Sequence, residues 1–92
     1  MRLFLITPAW LLNEDGSDSD EFPNGADIRL KDYVDAMIRV AQLNHVPCLD
    51  MWRGLGVNKV NYRTFTFDGT HPTELGARRR GDAIASFIGA TF

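Results

Sequence analysis

Asp27-Ile28-Arg29-Leu30-Lys31-Asp32-Tyr33-Val34-Asp35-Ala36-Met37-Ile38-Arg39-Val40-Ala41-Gln42-Leu43-Asn44, together with the short apolar runs on either side of it, decides the fold. Between Asp27 and Asn44 the apolar residues Leu30, Val34, Met37, Ile38 and Ala41 recur at helical spacing, with Lys31, Asp35, Arg39 and Gln42 largely on the other side. This is an amphipathic helix, and Met37 and Tyr33 on it are assigned to the core rather than to a binding surface. Upstream, Leu3-Phe4-Leu5-Ile6 is apolar without alternation, as a strand covered on both faces of a parallel sheet would be, and Thr7-Pro8 ends it. Downstream, Asn44-His45 closes the helix, and Val46-Pro47-Cys48-Leu49-Asp50-Met51-Trp52 reads as a second strand, with Pro47 near its start where a missing donor is tolerated. Strand, helix, strand is a βαβ unit, with parallel, adjacent strands and a right-handed crossover. The expected architecture is α/β, parallel strands with flanking helices, in one domain over residues 1–92.

Outward from this unit the chain is less regular. Asn13 to Pro23 is acidic and small, an exposed loop of turn formers with nothing to bury. Its carboxylates do not fit a calcium loop: with Gly16 at the sharp turn, Leu11 falls at the first ligand position and Phe22 at the last. Arg53 to Phe67 is too broken for a long element, with Thr64-Phe65-Thr66-Phe67 briefly extended. Pro72 and Thr73 open a last helix whose apolar stripe is Ala77, Gly81, Ile84, Ala85 and Ile88. Arg78, Arg79 and Arg80 are consecutive, spread over most of a turn, and read as a solvated face.

Charge and size narrow the function classes. Ten basic against twelve acidic residues, a net charge of −2, give no positive field for nucleic acid or anionic membrane. The apolar start stops at Thr7-Pro8, too short for a signal peptide, and no run approaches a membrane span, so the expectation is a soluble protein, cytoplasmic by default. A chain of 92 residues removes only about 60–65% of its unfolded surface from water, which makes a partner an early expectation. One cysteine cannot close an intrachain disulfide, and Cys48 lies in an apolar run as a small core residue. His45 has no second ligand at metal spacing, and Gly54-Leu55-Gly56 lacks the third glycine of a phosphate loop. No metal or cofactor is implied.

Chemistry concentrates in Asp68-Gly69-Thr70-His71-Pro72. Histidine moves protons near neutral pH, and a carboxylate on its second ring nitrogen fixes the tautomer and stabilises the imidazolium. A three-residue spacing in a turn can bring the two into contact. The segment follows the second strand by a loop and precedes a helix, at the carboxyl side of a parallel sheet, where open α/β folds place their sites. Trp10 follows the first strand at the same mouth, either lining a substrate pocket or covering a core edge.

These residues resemble the carboxyl-terminal half of the SGNH (GDSL-type) hydrolases, the esterases, lipases and carbohydrate deacetylases with a flavodoxin-like three-layer fold. Asp68, Gly69, His71, Pro72 and Gly76 stand where that family carries its last block, Asp-Gly-x-His-Pro followed by Gly; Leu3 to Pro8 is similar to its fourth strand with a Thr-Pro exit, and Cys48 to Met51 to its fifth. The resemblance implies that His71 is the general base, Asp68 its orienting acid, and an ester or O-acetyl group the substrate. The family's Gly-Asp-Ser block is missing: Ser17 and Ser19 lie in the acidic loop, Ser86 in the last helix, and Gly56-Val57-Asn58 comes after the fifth strand and leads to Lys59. The chain is therefore expected to begin at the fourth strand and to need a complementary N-terminal fragment for its nucleophile. The competing expectation is a noncatalytic α/β module that associates, as a homo-oligomer, through its open sheet edge.

Overall fold

The structure, a computed structural model, describes residues 3–13, 16–23 and 28–92. Strands β1 (Leu5–Ile6) and β2 (Cys48–Leu49) pair in parallel, Leu5 beside Cys48 and Ile6 beside Leu49. Leu5 N–H donates to the Pro47 carbonyl and Thr7 N–H to that of Leu49, each at 2.9 Å, so Pro47 joins the ladder through its acceptor. Helix α1 (Leu30–Leu43) connects them. Val34 and Ala41 are buried and Leu30, Met37 and Ile38 half-buried, which is the expected stripe. Tyr33 is exposed rather than in the core, because it lies about 100° around the helix from Val34. Asp27, where the sequence begins the helix, is outside the described residues, as are Glu14 and Asp15 of the acidic run.

The end of α1 is set by His45, the one described non-glycine residue at positive φ (53°). Its N–H reaches the Gln42 carbonyl at 3.3 Å and that of Val46 reaches Ala41 at 2.9 Å, the paired closure that turns a chain out of a helix. Glycine usually fills this position; here the helix closes at Asn44-His45, where the sequence ends it.

Met51 and Trp52 are not strand. They begin α2 (Met51–Gly54), because Asp50 caps it, its side chain accepting from Arg53 N–H at 3.2 Å. The buried Thr7 hydroxyl also accepts from the N–H groups of Met51 (2.9 Å) and Trp52 (3.3 Å), ending the second strand where the first one exits. Trp10, Val34, Met51, Trp52, Leu55 and Val57 form the buried core. Trp10 lies between the rings of Trp52 and Tyr62, at centroid distances of 6.5 and 6.1 Å.

Thr64 and Phe65 are likewise helical rather than extended, in α3 (Tyr62–Phe65). Asn58 and Asn61 cap each other there: Asn58 Oδ1 accepts from Val60 and Asn61 N–H, and Asn61 Oδ1 from Asn58 N–H, at 2.8–3.1 Å. Extended backbone begins only at Thr66. The last helix, α4 (Glu74–Thr91), is capped by Thr73, whose hydroxyl accepts from Gly76 N–H at 3.2 Å.

Its inward side is Gly76, Arg80, Ala83, Ile84, Phe87 and Thr91; of the expected stripe only Ile84 is shared, and Ala77, Gly81, Ala85 and Ile88 are exposed. Gly76 sets this rotation: a Cβ there would lie 2.0 Å from the Phe65 carbonyl oxygen, so the helix approaches α3 backbone to backbone. The arginines spread around the helix as expected, Arg78 pairing with Glu74 at 3.1 Å and Arg79 lying over the Phe65 ring at 5.1 Å, but Arg80 is half-buried on the inward side rather than part of a solvated face. Among the described residues no helix is long and apolar enough to cross a membrane.

The acidic loop buries more than its composition indicates. Ser19 is fully covered, its hydroxyl donating to the Leu11 carbonyl, and the Asn13 amide donates to Ser17 Oγ and to the Phe22 carbonyl at 3.0 and 2.9 Å. Small polar side chains satisfy backbone groups that the loop would otherwise leave unpaired.

Candidate functional site

Thr66 and Pro72 form an antiparallel bridge, and the five residues between them make the tight loop that holds Asp68 and His71. Phe67 N–H donates to the His71 carbonyl and Thr73 N–H to that of Phe65, both at 2.9 Å. At the tip, Gly69 takes φ +90°, and Leu12 packs so close that a Cβ on residue 69 would lie 2.6 Å from Leu12 Cδ1. Leu12 N–H donates to the Gly69 carbonyl (2.9 Å), and Gly69 N–H to the buried Thr66 hydroxyl (2.9 Å). The loop is thus pinned to the segment that leaves β1 and to its own base.

Inside this frame one carboxylate organises everything. Asp68 Oδ1 accepts from Thr70 N–H (2.9 Å) and His71 N–H (2.8 Å), while Oδ2 meets His71 Nδ1 at 2.7 Å. These hydrogen bonds, led by the His71 backbone N–H, then its ring, then Thr70, hold the Asp68 carboxyl well below the usual carboxylate range. An ionised carboxylate only accepts, so Nδ1 carries the proton toward it, and Nε2 of the neutral ring keeps its lone pair. The His71 side chain is 76% exposed. The arrangement can take a proton at Nε2 and stabilise the resulting cation.

The other sequence candidates lie elsewhere. Trp10 is in the core, 2% exposed, its indole N–H directed to Asp20 Oδ2 at 3.3 Å; it covers the core edge and offers no open wall for a substrate. Ser19 is buried. Cys48 is half-buried, and burial followed by the Asp50 charge pushes its thiol up, away from nucleophilic character. Among the described residues no three histidine, cysteine or carboxylate side chains gather in a metal-holding group. A hollow of about 380 Å³ opens at the start of α4, lined by Thr64, Thr73, Glu74, Leu75 and Arg78 but by neither Asp68 nor His71.

Three positioning residues gave no sequence signal as site residues: Leu12, Thr66 and Phe67 act through register and backbone contact. Comparison with models of known protein families, with curated proteins and with solved structures gave no match.

Proposed function

We propose that this chain carries the histidine–aspartate part of a serine-type esterase site of the SGNH kind, on a flavodoxin-like α/β frame, and acts on an ester or O-acetyl group. The observation that supports this reading is the 2.7 Å contact between His71 Nδ1 and an Asp68 carboxylate already fixed by two backbone N–H groups. Such a pair is held for proton transfer at Nε2. The 92 residues hold no Gly-Asp-Ser block, so the hydroxyl nucleophile comes from polypeptide outside them.

In the proposed reaction Nε2 takes the proton of that hydroxyl as its oxygen bonds to the carbonyl carbon. The protonated ring then gives the proton to the departing alkoxide oxygen as the C–O bond breaks, releasing an alcohol. Water repeats the two steps on the acyl group and releases the acid. Asp68 stays ionised throughout and steadies the imidazolium.

The test compares p-nitrophenyl acetate hydrolysis by the 92-residue chain with that of an extended form, the same chain joined to a complementary N-terminal fragment that carries a Gly-Asp-Ser block. The chain alone should match free imidazole, because each missing oxyanion donor typically costs about 10²–10³ in turnover. The extended form should saturate and lose at least about 10³-fold on His71→Ala. Saturable turnover by the 92 residues, abolished by a single serine substitution, would refute the assignment of the nucleophile. Activity of the extended form that survives His71→Ala would refute the assignment of the base.

One observation favours association as a second reading: among the described residues β1 has a strand neighbour on one edge only. Homo-oligomers would close that edge. Light scattering after size exclusion tests it, and a monomer at tens of micromolar would count against it.

A further inference from the structure

We propose that Phe67 is a specificity-determining contact for the alcohol part of the ester, selecting alcohols that carry a flat ring. The inference rests on His71 being the proton carrier. Thr66 and Pro72 are bridge partners, and just inside the bridge Phe67 N–H donates to the His71 carbonyl at 2.9 Å, which holds the two residues side by side across the loop. Side chains next to a bridging pair alternate to the face opposite that pair. Burial agrees with that alternation. Thr66 is buried and Pro72 half-buried, whereas Phe67 and the His71 side chain are each 76% exposed.

The chemistry then fixes which end of the substrate meets the phenyl ring. The proton on Nε2 must reach the departing alkoxide oxygen, so the alcohol, not the acyl group, lies beside the imidazole and its cross-strand neighbour. Phe67 offers an exposed aromatic ring, and the hollow near α4 does not include it. A single flat surface gains most contact from another flat ring and little from a short chain. The backbone link between Phe67 N–H and the His71 carbonyl keeps the two residues in this relation.

The first measurement needs no turnover. Benzyl alcohol and ethanol are titrated at equal millimolar concentrations into the 92-residue chain, and the His71 Hε1 resonance is followed by NMR. The slope with benzyl alcohol should exceed that with ethanol several-fold, fall to the ethanol level in Phe67→Ala, and persist in Phe67→Tyr. Equal slopes for the two alcohols, or a slope unchanged in Phe67→Ala with the fold intact by circular dichroism, would overturn the proposal. In the extended form, Phe67→Ala should lower the ratio of kcat/KM for benzyl acetate over ethyl acetate about five- to tenfold, through KM, with the pH profile unmoved. If His71→Ala abolishes activity while Phe67→Ala leaves that ratio alone, the alcohol contact is wrong and the base assignment stands. If His71→Ala leaves activity intact, both fail.

Discussion

Replacing Asp68 by Asn tests the organisation of the site more sharply than deleting either residue. The amide is nearly the shape of the carboxylate, but it has one acceptor and one donor end where the carboxylate has two acceptors. Two backbone N–H groups converge on Oδ1, at 2.9 and 2.8 Å, against one ring nitrogen on Oδ2 at 2.7 Å. Turning the amide to suit the ring would aim its NH₂ at two fixed donors, whereas leaving it in place opposes only one. The oxygen therefore stays with the backbone and the NH₂ faces Nδ1. The ring answers by moving its proton, becoming an acceptor at Nδ1 and protonated at Nε2. The loop survives while the lone pair that would take a proton is lost. In serine hydrolases this kind of change lowers turnover by about 10⁴. Long-range ¹H–¹⁵N correlation of the neutral imidazole, on the 92-residue chain at alkaline pH, should show the Nδ1-protonated tautomer in the wild type and the Nε2-protonated one in Asp68→Asn. The melting temperature should fall modestly, because the amide keeps the two backbone hydrogen bonds but lacks the charge that the folded state stabilises. The same tautomer in both proteins, or loss of the loop's amide dispersion in the variant, would refute the reasoning.

Thr7→Val keeps the shape at a buried position but leaves the Met51 and Trp52 N–H groups without their acceptor; at about 1–3 kcal/mol for a buried unsatisfied donor, thermal melting should fall by roughly 10 °C, and a shift under about 2 °C would contradict the role of the hydroxyl. Two glycines of α4 should respond with opposite signs: Gly76→Ala drives a Cβ to 2.0 Å from the Phe65 oxygen and should cost about 3 kcal/mol or more, while Gly81→Ala meets open space and should gain about 0.5–1 kcal/mol in chemical denaturation. Because the folded state lowers the Asp68 pKa, its contribution is fully present above the unfolded carboxyl value near 3.8 and is lost as pH falls below it. Between pH 5 and 2, wild type should therefore lose more stability than Asp68→Asn, and parallel acid curves would contradict the assignment.

Periodicity made α1 legible and apolar composition marked the two parallel strands, but the first is only Leu5–Ile6, half-buried and with Leu3 exposed, rather than a run from Leu3 to Ile6 covered on both faces. The failures share a cause. Met51 and Trp52 look like strand by composition but are turned by a hydroxyl more than forty residues away, at Thr7. Ala77, Gly81, Ile84, Ala85 and Ile88 are a sound apolar stripe, yet Gly76 lets α3 approach from another side, and a glycine adds nothing to an apolar count. Trp10 was placed correctly after β1, but sequence could not show that Asp20 takes its N–H and that neighbouring rings cover it. At the site, the pairing of Asp68 with His71 was legible because it is local; Phe67 was not, since its meaning comes only from the bridge of Thr66 with Pro72.

That distinction between local pairing and distant placement has a functional consequence. The hydrogen bonds of Asp68 all close within four residues, so the imidazole's tautomer and orientation relative to the carboxylate do not depend on the rest of the chain. Where the imbalance of charge is delivered does depend on it. Leu12 seals the tip through Gly69, Thr66 ties the base, and Gly76 brings α4 onto the Phe65 carbonyl just behind it, so the segment leaving β1, α3 and α4 each fix one side of the loop. A substitution at Leu12 or Gly76 can then misplace an intact His71–Asp68 pair. Its NMR tautomer would remain that of the wild type while its alignment with a nucleophile was lost, which separates positioning from proton chemistry at this site.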